Sequence, residues 1–240
     1  MNRREFLSQI ILASALAGLA TRAAAKPAFF APGLGLTAAH RKVVFISDIH
    51  LSADPNTSWI FEHIDPLADF LHTLNARQDL SELVILGDLL DDWMVPIDDV
   101  PSTFQNILEA PHNAPVVAAL QAICKNTFIQ VTYVTGNHDL LSFEPAAKAL
   151  IEDTFPGIVI SSEAPGLGDY TIDNVLWAEH GHRYSLFNSP DTWSHSGSHL
   201  PLGYFVTRLV ASQSETDGTL YTSPDIIEQF VNSQLRRFRK

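Results

Sequence analysis

Cysteine is almost absent from this chain: Cys124 stands alone among 240 residues. One thiol excludes an intramolecular disulfide framework and any zinc site built on paired cysteines. Long hydrophobic runs are missing as well. No apolar stretch reaches the roughly 18 residues expected of a membrane-spanning helix. Positive charge is scarce, with 15 Lys and Arg against 27 Asp and Glu, a net charge of -12. A general nucleic-acid binder needs a basic stripe to displace counterions, so that class is excluded. Phosphate chemistry is not, because bound cations can invert the local field. Charged residues make up only 18% of the chain and hydrophobic ones 46%, which argues for a folded chain rather than disorder. The length suits one domain with a sizeable core.

What is present begins with an address. Arg3 and Arg4 are followed by Phe6 and Leu7, then by an apolar stretch over residues 10–20, then by Ala23, Ala24 and Ala25. A charged start, a short apolar centre and small residues before a cleavage point make a signal peptide. An amphipathic helix and an uncleaved anchor are the alternatives. The Arg-Arg-x-Phe-Leu order resembles a twin-arginine export signal, which implies recognition by that export machinery and a destination in the periplasm or cell envelope of a bacterium. Residues 1–25 are thus expected to be a signal peptide, 26–41 a Pro-, Gly- and Ala-rich linker, and 42–240 the folded domain. Cleavage after Ala25 would remove three arginines and one glutamate, taking the net charge from -12 to -14.

Within the domain, apolar runs over residues 43–46, 83–86 and 128–134 suit strands buried on both faces. Residues 170–178 read as a further strand. A helix is expected after Asp65, with Pro66 at its first position and Leu67, Phe70, Leu71 and Leu74 on one buried face. Val116, Val117, Leu120, Ile123 and Cys124 give a second helical face, and residues 95–113 look like a loop. Residues 200–210 are apolar enough to pack as a helix or meet lipid, with core packing preferred. Another helix is expected from Ser223, with Ile226, Ile227, Phe230, Val231 and Leu235 on its apolar face. Helices alternating with strands predict an α/β architecture.

Polar residues follow the apolar runs repeatedly, where α/β sheets place their sites. Four segments stand out: Ser47-Asp48-Ile49-His50, Gly87-Asp88-Leu89-Leu90-Asp91-Asp92, Gly136-Asn137-His138-Asp139 and His180-Gly181-His182. Their ligand atoms are carboxylate oxygens, imidazole nitrogens and one amide oxygen, a set that suits Zn, Mn or Fe. Asp48 and His50 are two apart and share one face of an extended strand end. Asp88 has two oxygens and so can bridge two cations. Asn137 offers oxygen without negative charge, which keeps a site attractive to phosphate.

In this order the segments resemble the calcineurin-like metallophosphoesterases, over about residues 42–184. The resemblance implies a four-layer sandwich, two mixed β-sheets flanked by helices, with two metal ions at one end. It implies hydrolysis of a phosphate ester or anhydride by a metal-bridging hydroxide. By motif, Asp48 and His50 would bind the first metal, Asp88 would bridge, and Asn137 and His180 would bind the second. His138 would protonate the leaving oxygen, and Asp91 would orient it, with Asp92 as the alternative. Asp139 is expected to brace its loop. The substrate would be a phosphorylated small molecule or a lipid-linked one. Trp59, Trp93 and Trp193 could line its cleft, whereas Trp177 is expected in the core.

The family's last segment, Gly-His-x-His, is missing. The domain is therefore expected to be C-terminally incomplete, the 240 residues being the first part of a longer protein. His195 and His199 could reach the cleft, but their spacing does not demand it. The loop from Gly87 to Trp93 is similar to that of UDP-diacylglucosamine pyrophosphatases, which also carry an aromatic residue there. Those enzymes act in the cytoplasm and usually have Arg in place of His138, so only the broad class is retained. The alternative to an enzyme is a non-catalytic exported protein that binds metal or a phosphorylated ligand.

Overall fold

The computed structural model describes residues 42–193 and 198–217. The signal, the linker, the helix expected from Ser223, and His195 lie outside these residues.

Four strands form a parallel sheet in the order β1-β2-β3-β4: β1 is Lys42–Ile46, β2 Leu80–Leu86, β3 Gln130–Val134 and β4 Val159–Ser161. The register pairs Phe45 with Val84 and Ile85 with Tyr133. Between them run α1 (Ile64–Asn75), α2 (Phe104–Glu109), α3 (Ala114–Cys124) and α4 (Pro145–Thr154). Strands placed in sequential order by right-handed crossovers put their helices on one face. Leu83, Ile85, Val131 and Tyr133 face that side and form one core with Leu71 and Leu74 of α1 and Val116, Leu120 and Ile123 of α3. Each such buried side chain contributes about 1.5–3 kcal/mol.

The opposite face meets a second sheet, an antiparallel pair of β5 (Tyr170–Ile172) and β6 (Leu176–Ala178). Tyr170 packs edge-on against Phe45 at 5.5 Å and donates to Glu82 at 2.6 Å. Glu82 also accepts from Thr132 at 2.6 Å. The fold is therefore α/β, with a parallel sheet, a second sheet and flanking helices. A last helix, α5 (Leu202–Asp217), closes the described chain. No described helix is long and apolar enough to cross a membrane.

Several elements depart from expectation for local reasons. The 95–113 stretch is not all loop. Thr103 and Asn106 cap each other reciprocally and start α2. α1 begins at Ile64, two residues before Pro66, and buries Ile64, Ala68, Leu71 and Leu74, so Phe70 is turned outward at 42% exposure. Residues 170–178 fold back on themselves rather than run straight. Asn174 turns there with φ 58°, a conformation that Asn tolerates better than most residues. Trp177 consequently lies outside the core, 54% exposed, and donates to Asp169 at 2.8 Å. Phe128 precedes β3 rather than joining it, because Asn126 captures its N–H at 3.0 Å.

Candidate metal centre and active site

The four polar segments leave the carboxyl ends of β1, β2, β3 and β6. The first two loops run side by side. Asp48 N–H donates to Gly87 O at 3.2 Å, His50 N–H to Asp88 O at 2.9 Å, and Asp91 N–H back to Leu51 O at 2.8 Å. Asp48, His50 and Asp88 hold φ of 55°, 52° and 54°. Side chains crowd the backbone in this left-handed region, so few residues other than glycine adopt it. Strain placed at three expected ligands marks a site that the surrounding fold over-determines.

The third loop is locked to the second by Asp139. Its carboxylate accepts from Gly136 N–H at 2.6 Å, Leu89 N–H at 2.7 Å and Leu90 N–H at 3.4 Å. His138 N–H donates to Asp88 Oδ1 at 2.9 Å. Two glycines leave the room this docking needs. A Cβ on Gly136 would lie 2.1 Å from Asp88 Oδ1, and one on Gly87 would lie 2.4 Å from His180 Nδ1.

Lone pairs converge at the centre. His180 Nδ1 donates to Leu86 O at 2.9 Å, which leaves a neutral His180 with a bare Nε2. That Nε2 faces two acceptors, Asn137 Oδ1 at 3.0 Å and Asp88 Oδ2 at 3.2 Å. His50 repeats the pattern. Its Nδ1 lies 3.0 Å from Asp91 Oδ2, and its Nε2 faces Asp88 Oδ2 at 3.7 Å and Asp48 Oδ1 at 3.9 Å. Only a proton or a cation reconciles such a set. The donors are one amide oxygen, two carboxylates and two imidazoles with Nδ1 anchored, which is how metal-bound histidines are held. Asp48, His50 and Asp88 present ligand atoms within 4.8 Å of one another. The residues fit divalent metal, with Asp88 common to both groups.

A second cluster of close ligand atoms comprises His50, Asp91 and His138. Here the carboxylate is already engaged. Asp91 Oδ2 takes His50 Nδ1, while Oδ1 accepts Trp93 N–H at 2.8 Å and lies 2.8 Å from His138 Nδ1. The last contact is an ion pair off the axis of a hydrogen bond. Asp91 thus contacts two imidazoles. Asp92, the alternative partner, makes no ion pair with His138 among the described contacts. Burial and the Asp91 charge push its pKa up to about 7.

A calcineurin-like phosphoesterase model matches residues 41–230. The chain belongs to the calcineurin-like phosphoesterase family. No curated protein matches it. Membership brings metal-dependent phosphoester hydrolysis as the family's general chemistry, and the convergent lone pairs around Asp88 suit it.

The electrostatics of this calcineurin-like phosphoesterase follow from burial set against charge. Burial opposes the charge of His180 and of His138. Asp88 outweighs it for the first and Asp91 for the second, so both stand at about 9. Burial would also raise Asp88, but His180, His138 and His50 hold it below the ordinary value. The residues expected in or near the cleft divide. His182 is turned away, with Nε2 2.9 Å from Gly166 O, and burial lowers its pKa. His199 contacts Phe143 at 5.8 Å rather than any expected ligand. Trp59 stands beside His50 at 4.9 Å and is 46% exposed, while Trp193 is 94% exposed. Trp93 is only 2% exposed and stacks on His138 at 3.9 Å, so it is no wall of an open cleft. The motif pattern held no signal for this stack or for the anchoring carbonyl of Leu86.

Proposed function

We propose that the protein is a dinuclear-metal phosphohydrolase acting on a phosphate ester or anhydride. One observation carries the reading: imidazole nitrogens and acceptor oxygens from four strand ends converge on the buried Asp88 carboxylate. Asp48, His50 and Asp88 would hold one cation, and Asp88, Asn137 and His180 the other; Mn, Zn and Fe suit these donors. Bound there, the cations would acidify water into a nucleophile and offset charge on the phosphoryl group.

The remaining work falls to the chain's own residues. His138 Nε2 donates its proton to the leaving oxygen as the P–O bond breaks. Water supplies the new oxygen on phosphorus, and its released proton passes to solvent. Asp91 keeps the His138 Nδ1 side fixed, which directs Nε2 outward. A pure binding site has no use for such an acid, which favours an enzyme over a non-catalytic metal- or phosphate-binding protein. The substrate class that fits the acidic, exported reading is a phosphorylated small molecule or lipid-linked phosphate ester. The Arg3-Arg4 segment supports export through the twin-arginine machinery to the periplasm or cell envelope.

The decisive test is hydrolysis of chromogenic phosphate mono- and diesters by protein loaded with Mn or Zn, with metal analysis beside it. Two metals per chain and turnover abolished in His138→Ala support the reading. Metal binding without turnover leaves the non-catalytic alternative. Cell fractionation with and without Arg3→Lys/Arg4→Lys tests the location, and an unchanged distribution overturns export by this route.

A further inference from the structure

We propose that Trp93, held by helix α5, is a positioning residue for His138. The inference rests on the hydrolase reading above and assigns a part to Trp93 and to residues of α5 that lie outside every motif.

Asp91 touches His138 at Nδ1 alone, and an imidazole fixed at one atom can still swing. The Trp93 indole removes that freedom. It lies parallel to the imidazole, 3.9 Å away and tilted by 21°, while His50 closes the ring edge at 4.6 Å. No described group bonds the remaining nitrogen, Nε2, which is left for the leaving oxygen. Proton transfer is sensitive to displacements of about 1 Å, so a ring held in one plane has kinetic value.

Trp93 is in turn fixed from α5. A Cβ on Gly203 would lie 3.3 Å from Trp93 Cζ3, so the first turn of the helix packs directly on the indole. Tyr204 meets it edge-on at 5.9 Å. Arg208 then secures both. It donates to Tyr204 Oη at 2.9 Å and to the carbonyls of Val95 at 3.2 Å, Pro96 at 2.8 Å and Ile97 at 3.1 Å, and also to Asp99 O. A buried guanidinium is costly to desolvate unless its donors are used. Here they are used on the loop that follows Trp93. Ile97 N–H adds a bond to Ser212 Oγ at 2.7 Å. The path runs from Arg208 through that loop and Tyr204 to Trp93, and from Trp93 to His138.

The test compares para-nitrophenyl phosphate, whose leaving group departs without a proton, with phenyl phosphate, whose leaving group needs one. If only diesters are turned over, the matching diesters replace them. In Trp93→Leu and Arg208→Met, kcat on phenyl phosphate is expected to fall by about tenfold or more and on para-nitrophenyl phosphate by less than about threefold, at unchanged KM and metal content. Trp93→Phe, which keeps a flat ring, recovers most of the loss. Tyr204→Phe gives a smaller shift in the same direction if Arg208→Met fails to fold. A second readout needs no activity: acrylamide quenching of metal-free protein, with Trp93 emission isolated by subtracting the Trp93→Phe variant. That emission becomes more accessible in Arg208→Met. Equal losses on both esters, or unchanged accessibility in folded Arg208→Met, overturn the proposal and leave the hydrolase reading standing. A loaded wild type that turns over neither ester class overturns both.

Discussion

The two halves of the site are built to different tolerances. In one, His180 stands 3.0 Å from Asn137 and 3.2 Å from Asp88, with Asn137 and Asp88 both buried. In the other, His50 stays 3.7 Å from Asp88 and 3.9 Å from Asp48, whose side chain is 58% exposed. The cause lies in what ties each half down. Asp139 clamps the loops of Asp88 and Asn137 together, and the Leu86 carbonyl fixes the His180 ring. Among the described contacts, Asp48 has its backbone bond to Gly87 and the long approach to His50. A half already in place reorganises little on binding, whereas an open half must order itself. The closed half is therefore expected to hold its cation more tightly.

Asp88→Ala gives the largest expected effect, because it removes the oxygen common to both halves. Turnover of a chromogenic ester falls by about 10³-fold or more, and metal analysis finds less than one ion per chain. Two retained ions would break the picture of a shared ligand. Next come the single-half variants. Asn137→Ala weakens the tighter step of a calorimetric metal titration by about 10–100-fold, while Asp48→Ala weakens only the looser one. The reverse assignment would invert the comparison.

The closed half also makes binding depend on pH. Asp88 raises the His180 pKa to about 9, so at neutral pH a proton would occupy the nitrogen proposed to take a cation. Binding then releases this proton, and affinity rises with pH until His180 is already neutral. Chelator competition is expected to show the tighter step strengthening about tenfold per pH unit from pH 7 to about 9. A flat profile would remove His180 from that step. The smallest effects are on stability. Gly87→Ala places a Cβ 2.4 Å from the His180 ring at φ 84° and costs about 1–3 kcal/mol in thermal melts. Trp177→Ala, on the exposed hairpin, stays within about 0.5 kcal/mol.

The sequence made the site easier to read than the frame around it. Asp48, His50, Asp88, Asn137 and His180 each follow a strand, and position relative to a strand end survives small errors in where the strand starts. Asp139 likewise reads as a brace, since a carboxylate next to a glycine turn finds N–H groups. The reversal within 170–178 was hidden because apolar residues continue through it, leaving Asp173 and Asn174 as the one turn signal. α2 was hidden inside a polar stretch whose Thr103–Asn106 cap is a local interaction that hydrophobic periodicity does not report. The Trp93 stack depends on α5, more than a hundred residues later in the chain, and no local pattern carries contacts of that range.

Asp139 also fixes an order of events. It joins N–H groups on loops 50 residues apart, so Asp88 and Asn137 meet only once β2 and β3 have paired. Ion uptake is then expected to be a late step on a finished scaffold, unlike in small domains where the metal drives folding. A chelator is expected to empty such a molecule without unfolding it. On the dinuclear reading, the ion acquired would depend on which cations are available where folding is completed, making loading a matter of cellular supply as much as of ligand chemistry.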